Sequence, residues 1–399
     1  MYKTQKSYKL TLLIILILVK FFDIVYIPNH IISYFAFFIV LYFTIKNCKR
    51  PTLFEKIILV SEAFVLLSFF YSLIFNKQPI KPLIVGTYTY LGLLSFFVLK
   101  NYKFNISNTV YLLKTITIIM TLLYIIQWFL YPTILFRAVL NEFDVNELQF
   151  RMRFTCSICS YLALFYGLNR LLISQRSNGI IYIILGAIPI IIMGFRSLII
   201  LSILALIIMI FFVSKELKSY FKYITFFCIL FFVALQPPLV QEKINEMQSR
   251  QEQQQTFTNE DYVRYISFDY YESFFNKNPI MRIIGGGYPC CTADEYTVGN
   301  TYQSNISQAY TLKLFWVDLG LLGLSYIIGI PAVLLIVYLI FITIKKCKNK
   351  EYQYIRFTLI VVTLGSIITS MEVFRSGNFV IIGIMFYLVN QLQIEKIKK

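Results

Sequence analysis

Apolar residues run along this chain in long uninterrupted stretches, and polar residues gather in the short gaps between them. The runs are about 15 to 24 residues long and lack the period-two alternation of a half-buried strand. A bilayer core of ~30 Å is crossed by roughly 20 apolar residues in helical conformation. The pattern therefore predicts spans at 10–27, 31–45, 57–75, 83–99, 110–131, 154–173, 179–194, 197–213, 220–236, 320–344, 355–371 and 378–392. The fold class is all-α, a polytopic integral membrane protein of about twelve transmembrane helices. One gap is of another kind: between 237 and 319 the chain is long and mostly polar. The organisation is thus 1–236 with the first nine spans, 237–319 as one long loop, and 320–399 with the last three.

Composition agrees with that class. Of 399 residues 58% are hydrophobic and only 14% charged, about half the charged share of a soluble domain. The net charge of +17 does not point to nucleic acid, because most lysines sit in short loops between spans, where the positive-inside rule puts them. With the N-terminus inside, Lys46/Lys49/Arg50/Lys56, Lys100/Lys103, Arg170/Arg176, Lys215/Lys218, Lys345/Lys346/Lys348/Lys350 and Lys396/Lys398/Lys399 are all cytoplasmic. Both termini are then cytoplasmic, and the 237–319 loop is extracytoplasmic. Lys3, Lys6 and Lys9 ahead of the first run resemble a signal peptide, but no small-residue cleavage site follows, so a retained first span is expected. Seven Cys form no framework, and with His30 the single His, a metal centre is not expected.

Chemistry is sought on the outer face. Arg196 stands between two apolar runs with almost no polar cushion. A guanidinium so placed costs about 2.5–3.5 kcal/mol on the mild insertion scale. It either snorkels to lipid phosphate or faces a cavity or an anionic partner. Arg264 and Arg282 flank an aromatic-rich segment, Glu260 to Phe275, which reads as a partly amphipathic interfacial helix ended by Gly285-Gly286-Gly287. With Arg137, Arg151, Arg153 and Arg375 they make the outer face rich in Arg, which binds phosphate in a bidentate fork and stays charged. The acids that could deprotonate an acceptor hydroxyl are Asp294, Glu295 and Asp318, each also readable as structural. Within the membrane, Lys20 and Asp23 can pair at i,i+3, and Glu62 is expected to make an interhelical polar contact or to mark a functional site. No Gly-rich nucleotide loop is present, so an outward reaction needs a substrate already activated on a lipid carrier.

Three stretches in order resemble the O-antigen ligase and polymerase superfamily. Ile191 to Leu201, IIMGFRSLIIL, is similar to that family's Gly-Ser-Arg-type turn. Arg264 onward, RYISFDYYESFFNKNPIMRIIGGGYP, resembles its run of Arg, aromatic helix, Asn-Pro and Gly-rich turn. Tyr310 to Leu324, YTLKLFWVDLGLLGL, is similar to its closing signature, with Asp318 two residues before Gly320-Leu321-Leu322-Gly323. The resemblance covers roughly 185–345. Ligases of the family carry a His at the head of the closing signature, where this chain has Gln308-Ala309, and that departure favours a repeat-unit polymerase.

The resemblance implies a metal-independent, cofactor-free glycosyltransferase of the bacterial inner membrane that joins glycans carried on undecaprenyl pyrophosphate. Arg196 and Arg264 match its essential arginines; Arg282 matches loosely and, with Arg375, is assigned to the pyrophosphate. Partners implied are the lipid-linked oligosaccharides, membrane lipids, and a chain-length regulator and flippase, with no nucleic acid. The alternatives are a ligase that transfers finished polymer and a lipid-linked oligosaccharide flippase. A flippase would hold its cations in a central cavity and need no long outer loop.

Overall fold

A computed structural model of the chain describes residues 2–21, 29–49, 51–130, 133, 135–136, 155–174, 177–194, 196–213, 225, 241, 263–289, 309, 312, 314–368 and 377–398. Among them the structure is all-helical, without strands. The first half holds α1 (Tyr2–Leu18), α2 (Asn29–Asn47), α3 (Leu53–Ile74), α4 (Ile80–Thr87), a 3-10 turn (Tyr90–Leu94), α5 (Ser95–Asn101) and α6 (Ile106–Leu130). Then come α7 (Ile158–Ser174), α8 (Gly179–Met193) and α9 (Arg196–Val213). The loop segment carries α10 (Val263–Lys277) and α11 (Pro279–Ile284). A 3-10 turn (Trp316–Leu319) leads into α12 (Gly320–Ile328), α13 (Ile330–Lys346), a short turn (Lys350–Tyr352), α14 (Gln353–Ile368) and α15 (Asn378–Lys398).

Three helices, Leu53–Ile74, Ile106–Leu130 and Asn378–Lys396, are long and apolar enough to cross a membrane. Two bent pairs raise the number to five if each is one span. Five shorter apolar helices, in α1, α2, α7, α8 and α9, accompany them. The expected span 220–236 lies outside the described residues apart from position 225.

The core is organised on α15, which is 72% buried where α3 and α6 are 44% buried. Small residues let backbones close on it: a Cβ on Gly383 would stand 2.3 Å from Ser95 Oγ, and one on Gly92 2.7 Å from Phe379. Side chains then satisfy backbone groups across the interface. Ser95 Oγ donates to the Val380 carbonyl (2.9 Å), Tyr387 Oη to the Phe104 carbonyl (2.8 Å), and Asn378 accepts from the Ile158 amide (3.1 Å). The start of α3 is fixed by a capping box: Thr52 accepts from the Glu55 amide while Glu55 accepts from the Thr52 amide. Glu55 also pairs with Lys100 at 2.8 Å, tying α3 to the end of α5.

Two expected continuous spans are broken. Positions 83–99 divide between α4 and the Tyr90–Asn101 segment at a 52° bend. Positions 320–344 divide at Gly329 (φ +85°), where Trp316–Ile328 and Ile330–Lys346 meet at 119°. Pro331 follows at the start of α13, where its missing N–H costs no helical bond. Helix α1 stops at Leu18, and Lys20 adopts φ +61° with its ammonium 5.3 Å from the Tyr88 ring centre; Asp23, expected to pair with it, lies outside the described residues. Glu62 is fully buried, faces the Leu93 backbone, and neither carboxylate oxygen attains hydrogen-bonding geometry with a partner.

Candidate functional site

The segment 263–289 folds back onto the bend between α12 and α13. Its helix α10 is sorted by side: Ser267, Tyr271 and Phe275 recur every four residues and are buried, whereas Tyr265, Ile266 and Phe268 are exposed. On the buried side Tyr271 stacks on Tyr326 of α12 at 5.5 Å and Phe275 stacks on the same ring at 4.3 Å. Tyr271 Oη donates to the Leu314 carbonyl at 3.2 Å, which draws in the stretch leading to the Trp316–Leu319 turn. Asn278-Pro279 ends α10 and starts α11, whose Ile280 and Ile283 are also exposed.

Gly285 (φ +89°) then turns the chain into an extended strap, 285–289. The Gly286 and Gly287 amides donate to the carbonyls of Tyr326 and Ile327 at 2.7 and 3.0 Å, and Asn76 of α3 donates to the Gly286 carbonyl at 2.9 Å. Those carbonyls need an outside donor because α12 stops at Ile328. The approach admits no side chain. A Cβ on Gly285 would lie 2.3 Å from the Ile327 oxygen, and one on Gly329 2.1 Å from the Ile283 oxygen. The glycines of the closing stretch are likewise required by packing: Gly320 abuts the Ser366 carbonyl and Gly323 that of Trp316.

A polar cluster sits on this scaffold. Arg282 of α11 forms an ion pair with Glu272 of α10, and Tyr326 Oη donates to the same carboxylate at 3.4 Å. The side chains of Arg282 and Glu272 are 38% and 24% exposed, so the pair orients the guanidinium more than it stabilises the fold, contributing up to about 1 kcal/mol. Arg264 is half-buried at the start of α10, eight residues or about 12 Å of helix before Glu272. Asp318 is half-buried in the 3-10 turn that packs against α10.

Of the predicted residues, Arg282 on α11 and Asp318 in the 3-10 turn thus belong to elements that each pack against α10, the helix that carries Arg264. Arg196 opens α9 after Gly194, which closes α8 in the left-handed region (φ +70°) with its amide on the Ile191 carbonyl. Helix α9 packs on α14 and α7. Arg375, Asp294 and Glu295 lie outside the described residues, as do Arg137, Arg151 and Arg153. Glu272 and Tyr326 were not foreseen from sequence. The signal for Glu272 was a carboxylate in an aromatic stretch ten residues before an arginine, but Asp269 lies three residues from it in the same stretch, and sequence spacing does not choose between them. Among the described residues no group of three or more His, Cys, Asp and Glu could hold a metal ion.

Described residues that are all helical or irregular, several helices apolar enough to cross a membrane, and a segment 263–289 folded onto a broken helix pair are what these observations define. No protein-family model matches the chain, and a search of curated proteins finds no match either.

Proposed function

We propose that the protein is a polymerase joining undecaprenyl-pyrophosphate-linked oligosaccharide repeat units into O-antigen, capsular or exopolysaccharide on the outer face of a bacterial inner membrane. The reading includes about twelve spans, cytoplasmic termini and an extracytoplasmic 237–319 loop. The observation that carries it is the folding of 263–289 onto the α12–α13 bend, with Arg264 on α10, and Arg282 and the Asp318 turn on elements that each pack against α10. The exposed Tyr265, Ile266, Phe268, Ile280 and Ile283 beside these arginines suit a segment lying at a lipid interface, where a phosphate-bearing lipid presents its headgroup.

In the proposed reaction an acceptor hydroxyl oxygen attacks the anomeric carbon of the donor glycan. The bond from that carbon to the pyrophosphate oxygen breaks, and the carrier departs as undecaprenyl pyrophosphate. The hydroxyl proton goes to a carboxylate, drawn from Asp294, Glu295 and Asp318. Negative charge grows on the leaving oxygens, and Arg196 and Arg264 stabilise it, with Arg282 and Arg375 holding the pyrophosphate. Glu272 supports this by orienting Arg282.

The test is substitution. Arg196→Ala and Arg264→Ala, and equally their Lys variants, which lose the bidentate fork, are expected to abolish long-chain polysaccharide while the protein still reaches the membrane. Normal chain length in these variants would remove the arginines from the chemistry and with them the reading.

A further inference from the structure

The start of α7 carries a Cys-x-x-Cys pair that the proposed reaction does not use. Cys156 and Cys159 are both buried, and their sulfurs stand 3.5 Å apart, one thiol donating to the other. The Cys159 amide donates to the Cys156 carbonyl at 3.1 Å, closing a single turn of chain. Such a turn keeps the two Cα atoms within about 7 Å, the reach of a disulfide. The turn has a tight seat on the head of α15. Asn378 accepts from the Ile158 amide (3.1 Å) and donates to Ser157 Oγ (3.0 Å), while Cys156 Sγ lies 3.6 Å from the Gly377 carbonyl. Cys156 (φ +70°) and Gly377 (φ +84°) are both in the left-handed region, and a Cβ on Gly377 would stand 3.3 Å from that of Cys156. For a cysteine that conformation is costly, and it persists because its surroundings over-determine it.

A single buried cysteine behaves as a small apolar side chain, but two sulfurs in contact can bond. They need only close from 3.5 Å to about 2.05 Å, and no atom fits between them. In the orientation of the proposed reading, α7 and α15 both start on the outer face, while Cys48 and Cys347 sit in cytoplasmic loops beside lysines. Thiols are kept reduced in the cytoplasm and are oxidised outside it. We infer that Cys156 and Cys159 are a disulfide-forming pair, closed by thiol–disulfide exchange with an extracytoplasmic disulfide donor. The inference rests on the outward orientation of the proposed reading and not on its polymerase chemistry. In the exchange one cysteine thiolate attacks the donor disulfide, forming a mixed disulfide and releasing one donor sulfur. The second cysteine thiolate attacks the protein sulfur of the mixed disulfide and releases the other. Two protein thiols are oxidised, one donor disulfide is reduced to two thiols, and the two protons end on the donor. Because both sulfurs are buried, exchange precedes the docking of α7 on α15, and the packed fold then shields the product. The bond constrains the unfolded chain at the turn that the seat on Gly377-Asn378 requires.

Cells making the full-length protein would be quenched in acid, the protein denatured and alkylated with N-ethylmaleimide without reductant, and its peptides mapped by mass spectrometry. The expected peptide carries no label at Cys156 or Cys159 and is about 2 Da lighter than the dithiol form, two hydrogens having left. Reductant before alkylation should add a label at each position. A second arm separates the pairing from the orientation: purified protein is reduced, opened in mild denaturant and returned to micelles with oxidised glutathione. Closure between Cys156 and Cys159 is expected in preference to pairing with Cys48 or Cys347, and the closed form should melt above the reduced one. Absence of that closure, or equal melting of the two forms, would overturn the pair itself. Closure in micelles with both thiols labelled in cells would overturn the oxidation together with the outward orientation, whereas loss of the polymerase reading on chain-length evidence alone leaves the pair standing.

Discussion

Substituting Gly329 by Ala tests the contact on which the site is built. The residue has φ +85°, a region that costs a non-glycine residue about 1–3 kcal/mol. Its new Cβ would stand 2.1 Å from the Ile283 oxygen, whereas ordinary contact begins at 3.4 Å, so the strap and the bend must separate by about 1.3 Å. The Gly286 amide, 2.7 Å from the Tyr326 carbonyl, would then be about 4 Å from it, beyond hydrogen-bond range. A buried backbone group left without its partner costs about 1–3 kcal/mol. Allowing for partial relaxation, the loss of stability should be about 2–5 kcal/mol. Gly285→Ala meets the Ile327 oxygen across the same gap, so the double variant should lose clearly less than the two single losses combined. Reversible unfolding in mixed micelles, followed by tryptophan fluorescence, reads both effects; Trp316 is buried two elements away and reports the site directly. A loss below about 0.5 kcal/mol in either single variant, the scale of an unremarkable surface change, would refute the described contact.

Two further outcomes follow from the polar groups. Glu272→Gln should cost less than about 1 kcal/mol of stability, since the pair is partly exposed, yet reduce polymer output, and adding Arg282→Ala should reduce it little further. Fully additive losses in polymer output would show that the two act separately. In the loop after α13, burial pushes the Cys347 thiol up to about 12, against an opposing pull from Arg356. The thiolate is what reacts, so its fraction stays negligible until the pH nears that value. Maleimide at a pH of about 8 should therefore modify the half-buried Cys48 first and leave Cys347 intact. Comparable rates at the two positions, read by peptide mass mapping, would contradict the burial.

How much of this was legible in the sequence varies by element. Apolar runs mark where helices lie because burial of backbone in lipid demands internal hydrogen bonds. Helix α10, expected at 260–275 and observed at Val263–Lys277, was visible in its side-chain spacing. The break at Gly329 was not seen, because hydropathy is equally high on both sides of it. Gly329-Ile330-Pro331 did carry the turn signal, yet a scale that sums apolarity over a window is blind to it. The Glu272–Arg282 pair was hidden for a different reason: it joins two helices across a Pro-induced restart, and no periodicity on either helix reports the crossing.

The most direct test of the proposed activity is deletion of the gene, with surface polysaccharide separated on a silver-stained or immunoblotted gel. The account predicts single repeat units without a ladder, restored to full length by the wild-type chain and not by Arg264→Ala. Full-length polymer accumulating on its carrier lipid would mean a ligase. Loss of all outward-facing material, with units trapped inside, would mean a flippase, and an unchanged ladder would contradict the account outright.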